Sequence, residues 1–146
     1  MNEMDRLEVD MRITQEADDA VRIIDCLVAR DKRLDARTIS DTTGVTLRFT
    51  LKILRKLVKN GIVKSFLGAS GGYELAKKPE KINLREVIEA VDGPIAINRC
   101  LSGNMPCGLA EAECSCYYHQ IFANISKTIQ EQLESVSFEK SIRNSR

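Results

Sequence analysis

The sequence predicts a mainly α-helical fold with one small β-hairpin. Three observations carry that expectation. Apolar residues recur at helical spacing in several stretches, as in Ala17, Val21, Ile24 and Val28. A short helix, a glycine turn and a longer basic helix follow one another between Asp35 and Asn60. Two strand-like runs then flank the glycine-rich tip Gly68-Ala69-Ser70-Gly71-Gly72.

Each element has its own local signals. Thr14 is a suitable N-cap for a helix to about Arg30, with Glu16, Asp18 and Asp19 in its first turns, where the helix dipole favours anions. Asp31-Lys32-Arg33 is a polar break. Asp35 caps a short helix to about Thr43, and Gly44 supplies a tight turn. Thr46 caps a third helix that Asn60-Gly61 stops; its expected apolar face is Leu47, Leu51, Leu54, Leu57 and Val58. Strands follow at Ile62 to Leu67 and Gly71 to Leu75. Asn83 caps a helix over Leu84 to Val91, ended by Asp92-Gly93-Pro94. A last helix, Cys116 to about Val136, carries the stripe Ile121, Phe122, Ile125, Ile129, Leu133 and Val136. So long a stripe needs a partner, either a second copy of the chain or the first helix. The expected fold is mainly α with a small β-hairpin wing: a winged helix-turn-helix plus a long dimerisation helix. A plain surface hairpin is the competing reading of the wing.

The corresponding division is an N-terminal extension at 1–10, a winged helix-turn-helix at 11–94, a cysteine-rich loop at 95–119, and a dimerisation helix and tail at 116–140. Hydrophobic residues make up 43% of the 146, too many for a disordered chain. No apolar run reaches the length of a membrane span, and acid-rich residues 1–11 lack the apolar core of a signal peptide. The expected compartment is the cytoplasm, with no membrane partner.

The formal net charge of +1 conceals a strong asymmetry. Residues 42–85 carry 10 basic and 2 acidic side chains, and Thr42 to Tyr73 contains no Asp or Glu at all. Acid-rich segments flank this stretch. A field of one sign confined to one segment suits a polyanion such as double-stranded DNA; a solvated basic helix face is the plainer alternative. The expected DNA-facing set includes Thr46, Arg48, Phe49, Lys52, Arg55, Lys56 and Lys64, with Ser70, Gly71, Gly72 and Tyr73 at the wing. The wing glycines would let backbone approach phosphates closely.

Four of the five cysteines fall in one window, Cys100, Cys107, Cys114 and Cys116, and His119, the only histidine, follows. Thiolates clustered among loop residues such as Gly103, Pro106 and Gly108 suit a metal centre better than inert core packing. Structural zinc usually uses C-x2-4-C knuckles, which are absent here, and the six-residue gaps favour an iron–sulfur cluster, with zinc as the alternative. Cys26, inside the first helix, reads as a small packing residue.

Enzyme readings find little support. The chain has no G-x-x-x-x-G-K-[ST] phosphate loop, and His119 falls after Pro106-Cys107, the wrong order for a zinc deaminase. A Cys114-x-Cys116 redox pair would lack a supporting scaffold.

Met11-Arg12-Ile13-Thr14, the helix-turn-helix, the wing run Gly68 to Ala76 and the following Val87 to Ile95 together resemble the Rrf-two family of bacterial winged-helix regulators. The resemblance spans about residues 11–140. It implies a homodimer on a palindromic operator, with the 46–60 helix in a major groove and the wings near minor grooves. It places Arg48, Phe49 and Lys52 as base readers. Family members often carry an Arg near the wing tip, where Leu67 stands here. Cluster-binding members imply Cys100, Cys107 and Cys116 as ligands, with Cys114 as a substitute. The fourth ligand would be His119 or Asp18 of the partner subunit. The implied cofactor is a 2Fe-2S cluster, or else a 4Fe-4S cluster. The implied function is a repressor whose DNA binding answers to redox, nitric oxide or iron–sulfur status. Two readings compete with it: a repressor with structural zinc or oxidant-sensing thiols, and a winged-helix protein-interaction module that binds no DNA.

Overall fold

The computed structural model describes residues 13–98, 101 and 117–144, with side chains through Ser141. Residues 1–10 and the predicted ligands Cys100, Cys107, Cys114 and Cys116 lie outside the described residues. The order of elements is α1 (Gln15–Arg30), α2 (Ala36–Thr43), α3 (Leu47–Lys59), β1 (Val63–Phe66), β2 (Gly72–Leu75), α4 (Leu84–Asp92), α5 (Tyr117–Glu134) and α6 (Glu139–Asn144). The two strands form an antiparallel hairpin, with Val63 opposite Leu75 and Phe66 opposite Gly72.

The expected caps all form. Thr14 accepts a hydrogen bond from the Ala17 amide, Asp35 from that of Thr38 and Thr46 from that of Phe49. Asn83 and Glu86 make a reciprocal capping box at α4, so two otherwise orphaned amides are satisfied. Gly44 closes α2 at a φ of 75°, a left-handed conformation that costs glycine little. The turn between α2 and α3 is fixed from both sides. The Ser40 hydroxyl donates to the Val45 carbonyl at 2.6 Å, and the buried Thr50 hydroxyl donates to the same oxygen at 3.3 Å.

The core lies where α1, α3 and α4 meet. Ala17, Ala20, Ile23, Ile24 and Leu27 of α1 pack with Ile53, Leu54 and Leu57 of α3 and with Val87 and Ile88 of α4. The buried face of α3 is Thr50, Ile53, Leu54 and Leu57. It is rotated from the expected one, and Leu47, Leu51 and Val58 are only half-buried at its borders. Ile53 contacts the core because 50, 53, 54 and 57 follow the i, i+3, i+4, i+7 rule more closely than the leucine-only stripe. Cys26 is buried, as a packing residue should be, and burial pushes its thiol pKa up.

Three features lie outside the expected elements. Leu34, between α1 and α2, exchanges both backbone hydrogen bonds with Tyr73 and so extends the wing by one bridge. Pro79–Lys81 forms a 3-10 turn. The stretch after α5 returns beneath α4: the Leu84 amide donates to Val136 and the Phe138 amide to Ile82. Phe138 is thereby buried in the core and α6 packs against α1.

Candidate nucleic-acid interface

The predicted DNA-facing residues divide into two groups once placed. Arg48, Phe49, Lys52 and Arg55 lie exposed along α3, and Phe49 is 51% accessible despite its apolar ring. Lys64 is exposed on β1 and Ser70 at the wing tip. α3 carries no acidic residue, so the face turned away from the core is predominantly positive, with Glu16 of α1 paired to Lys52. Thr46 is exposed at the entry to α3, and its hydroxyl caps the helix by accepting from Phe49 N at 3.4 Å.

The remaining predicted residues have structural partners. Lys56 turns inward: its ammonium donates to Glu16 Oε1 at 2.6 Å and to the Val91 carbonyl at 3.0 Å. It thus ties α3 to α1 and to the end of α4. Glu16 also pairs with Lys52 at 3.3 Å. Partial burial pushes the Glu16 pKa up, but the hydrogen bonds and charges of Lys56 and Lys52 outweigh this and hold it below the ordinary carboxylate value. Tyr73 packs against the core from β2 of the wing.

Gly71 and Gly72 are accounted for by close backbone contacts inside the wing. A Cβ on Gly71 would lie 2.5 Å from the Phe66 carbonyl oxygen, and one on Gly72 would lie 2.6 Å from that of Leu34. Gly72 also holds a φ of 137°, which side chains on L residues strongly disfavour. The expectation that these glycines serve phosphate approach therefore has an internal explanation that does not need DNA.

Arg33 lies in the polar break after α1 but does more than interrupt the helix. Its guanidinium lies 3.3 Å from the centroid of the Phe66 ring, pairs with Glu74 at 3.4 Å and donates to the Ser70 carbonyl at 3.2 Å. One side chain thus braces both strands and the tip. No spacing rule signals it, because Glu74 is 41 residues away.

Of the two candidate fourth ligands, Asp18 is exposed on the first turn of α1 and pairs with Arg22 at 3.1 Å. His119 lies in the first turn of α5. Among the described residues no three His, Cys, Asp or Glu side chains come together as a metal-binding group. The segment entering the cysteine region is nevertheless held firmly. The Ile95 amide donates to Glu89 at 3.2 Å, Gln130 donates to the Ile95 carbonyl at 2.6 Å, and the Ile97 amide donates to the buried Ser126 hydroxyl at 3.1 Å. Arg85 joins the same network by donating to Glu89, Gln130 and Glu134, and the carboxylates of Glu134 and Glu89 raise its pKa further. Thr14 closes the circuit by donating to Asp92 at 2.7 Å, linking the start of α1 to the end of α4. The stripe on α5 divides accordingly: Ile129 and Leu133 line a cavity against 93–97, while Ile125 is left exposed.

A three-helix unit with a capped basic helix and a braced hairpin behind it defines a winged-helix DNA-binding protein. A family model for Rrf2, described as an iron-dependent transcriptional regulator, matches residues 13–144, and the chain belongs to that family. It is 34% identical over 108 residues to a putative HTH-type transcriptional regulator, rrf2-like, of Rhodobacter capsulatus, covering 73% of this chain and 72% of the relative. It is 33% identical over 106 residues to the HTH-type transcriptional regulator IscR of Xenorhabdus nematophila, covering 73% of this chain but only 62% of that protein. Among solved structures, T. potens IscR superposes with a TM-score of 0.70 at 18% identity, covering 94% of this chain and 90% of that one. CymR, the global cysteine regulator of B. subtilis, superposes with a TM-score of 0.68 at 22% identity, covering 88% and 94%. The fold is therefore that of the IscR and CymR winged-helix structures, and the relatives are transcriptional regulators. No helix among the described residues is long and apolar enough to cross a membrane.

Proposed function

We propose that this transcriptional regulator is a homodimeric repressor that binds a palindromic operator and is controlled by an iron–sulfur cluster in its cysteine region. The observation that carries the DNA half is the exposed face of α3, which has no acidic residue of its own, with Arg48, Phe49, Lys52 and Arg55 on a helix of about 20 Å, a good match to a major groove. Arg48 is the residue best suited to bidentate contact with a guanine. The compartment consistent with this role is the cytoplasm.

The donor chemistry of the cysteine region fits a cluster. Cys100, Cys107 and Cys116 would supply three thiolates, with Cys114 as the alternative third. His119, or Asp18 of the partner subunit, would supply a nitrogen or oxygen ligand. Such a ligand holds iron more weakly than thiolate and is a suitable point for a signal to enter. A bound cluster would contribute a redox-active, ligand-exchanging centre. The chain supplies the route from it: the 95–97 strap, Glu89 and Gln130, then α4, whose last turn holds Thr14 and Lys56. Asp18 lies two positions beyond Glu16 on the same turn of α1, so ligation there would act beside the Lys52 and Lys56 pairs. A shift of α1 by a fraction of a turn would redirect both lysines, a two-state coupling of the kind found in switching regulators.

The test is an anaerobic preparation assayed for iron, acid-labile sulfide and visible charge-transfer bands, with DNA binding measured over a range of salt. Iron and sulfide with steep salt dependence are expected. Absence of both iron and sulfide would remove the cluster, and flat salt dependence would remove the DNA contact. A second reading has one observation in its favour. The thiols Cys100, Cys107, Cys114 and Cys116 form a group that could sense oxidants directly or hold structural zinc, and one solved structure of similar fold is an oxidized form of Staphylococcus aureus CymR. Zinc, or reversible thiol loss on oxidation in metal-free protein, would favour it.

A further inference from the structure

Leu67 stands between the end of β1 and the Gly68–Gly71 turn of the wing, with 99% of its surface exposed. A single exposed leucine on a flat surface would need no explanation. This one is held on a braced tip. The Gly71 amide donates to the Gly68 carbonyl at 2.9 Å, closing the turn, and Arg33 grips Ser70 and covers the Phe66 ring just behind the apex. Exposed Lys64 lies on the strand leading to it, within the stretch that lacks Asp and Glu. The strand leading to the tip therefore suits phosphates, while the Leu67 side chain itself offers only apolar surface.

We propose that Leu67 is an apolar wedge with which the wing enters the minor groove of DNA; this rests on the DNA-binding reading above. With α3 in a major groove about 12 Å wide, a four-residue strand spans about 13 Å from the helix end, enough to cross one phosphate ridge. A leucine gains nothing from phosphates. It gains from the sugar edges and base steps on the floor of the minor groove, where apolar side chains partly unstack bases and kink the duplex. Its specificity is for deformability: flexible pyrimidine–purine steps are the easiest to open. Leu67 is thus a specificity-determining residue at a position α3 does not reach.

The test is selection from a pool of random duplexes by the full chain, with Leu67→Ser and Leu67→Phe beside the wild type. Because the Leu67 side chain is almost wholly exposed, the variants fold, as thermal melting will verify. The wild type should recover a palindromic core plus a pyrimidine–purine step outside it. Leu67→Ser should recover the same core without the outer step, bind the wild-type-selected duplex about fivefold or more weakly, and bend it less in a permuted-fragment gel assay. Leu67→Phe should restore both preference and bend. If Leu67→Ser keeps the outer step and the bend, the wedge is wrong while DNA binding stands. If the wild type recovers no core at all, the DNA-binding reading fails and the wedge falls with it.

Discussion

Lys52 and Lys56 sit one turn apart on α3 and share Glu16, but their surroundings assign them different work. Lys52 is exposed among the cations of the recognition face, whereas Lys56 also satisfies the Val91 carbonyl. Lys52→Ala should lower the magnitude of the salt slope of DNA binding by about 1 and change stability by less than about 0.5 kcal/mol. Lys56→Ala should leave the slope nearly unchanged and cost about 1–2 kcal/mol in urea denaturation, because it strips the Val91 carbonyl of its side-chain donor and leaves Glu16 with Lys52 alone. The reverse pattern would show that Lys56 is the phosphate contact. Glu16 adds a pH dependence. Its folded pKa lies below the ordinary value of 4.5, so its contribution is complete above that value and is lost as the pH falls through the folded pKa. Acid unfolding followed by circular dichroism should therefore show a shallower loss below about pH 4.5 in Glu16→Gln than in wild type. The basic character of this face is plain in the sequence, because charge is a property of composition. The inward turn of Lys56 is not, because its partners are 40 and 35 residues distant.

At the scale of elements, local chemistry and distant contacts determine different features. All the caps belong to the first kind: Thr14, Asp35, Thr46 and Asn83 each bond an amide three residues on, and each was legible as a boundary. Asn83→Ala should cost about 1 kcal/mol, measured by thermal or urea unfolding; a change within error would mean that the capping box is replaced by water. The wing belongs to the second kind. Its glycines are legible as a tip, but the reason for Gly72 is the carbonyl of Leu34, which closes a bridge from outside the hairpin. Gly72→Ala should open that bridge. Amide exchange at Leu34 and Tyr73 should rise, with a cost of about 1–3 kcal/mol, and undiminished protection at both amides would disprove the contact. The return of Phe138 to the core is likewise tertiary. A lone aromatic after a helix carries no period, yet Phe138→Ala should destabilise the chain by about 3–5 kcal/mol, as loss of a buried ring does.

At the scale of the whole molecule, α5 is the element with unfinished business. Ile129 and Leu133 face the strap and α4, and Ile125 and the Tyr117–Tyr118 pair are left exposed. The proposed dimer would cover that outer surface with its own copy. Ile125→Glu should then reduce the solution mass from twice the chain mass to 16.4 kDa, read by sedimentation equilibrium, and weaken operator binding with it. A variant that keeps the wild-type mass would exclude Ile125 from the interface.

By itself the sequence determined the kind and order of the main elements, their caps, the acid-free recognition segment and the clustering of thiols beside His119. These follow from neighbours within one or two turns and from summed charge, which need no knowledge of the fold. Only the tertiary structure decided which α3 residues face inward, that Lys56 is a strut, that Arg33 braces the wing, and that Gly72 and Phe138 are packing requirements. Each of those depends on a contact whose partner lies dozens of residues away, such as Arg33 with Glu74 or Phe138 with Ile82. No periodicity or spacing encodes such a contact until the chain has folded.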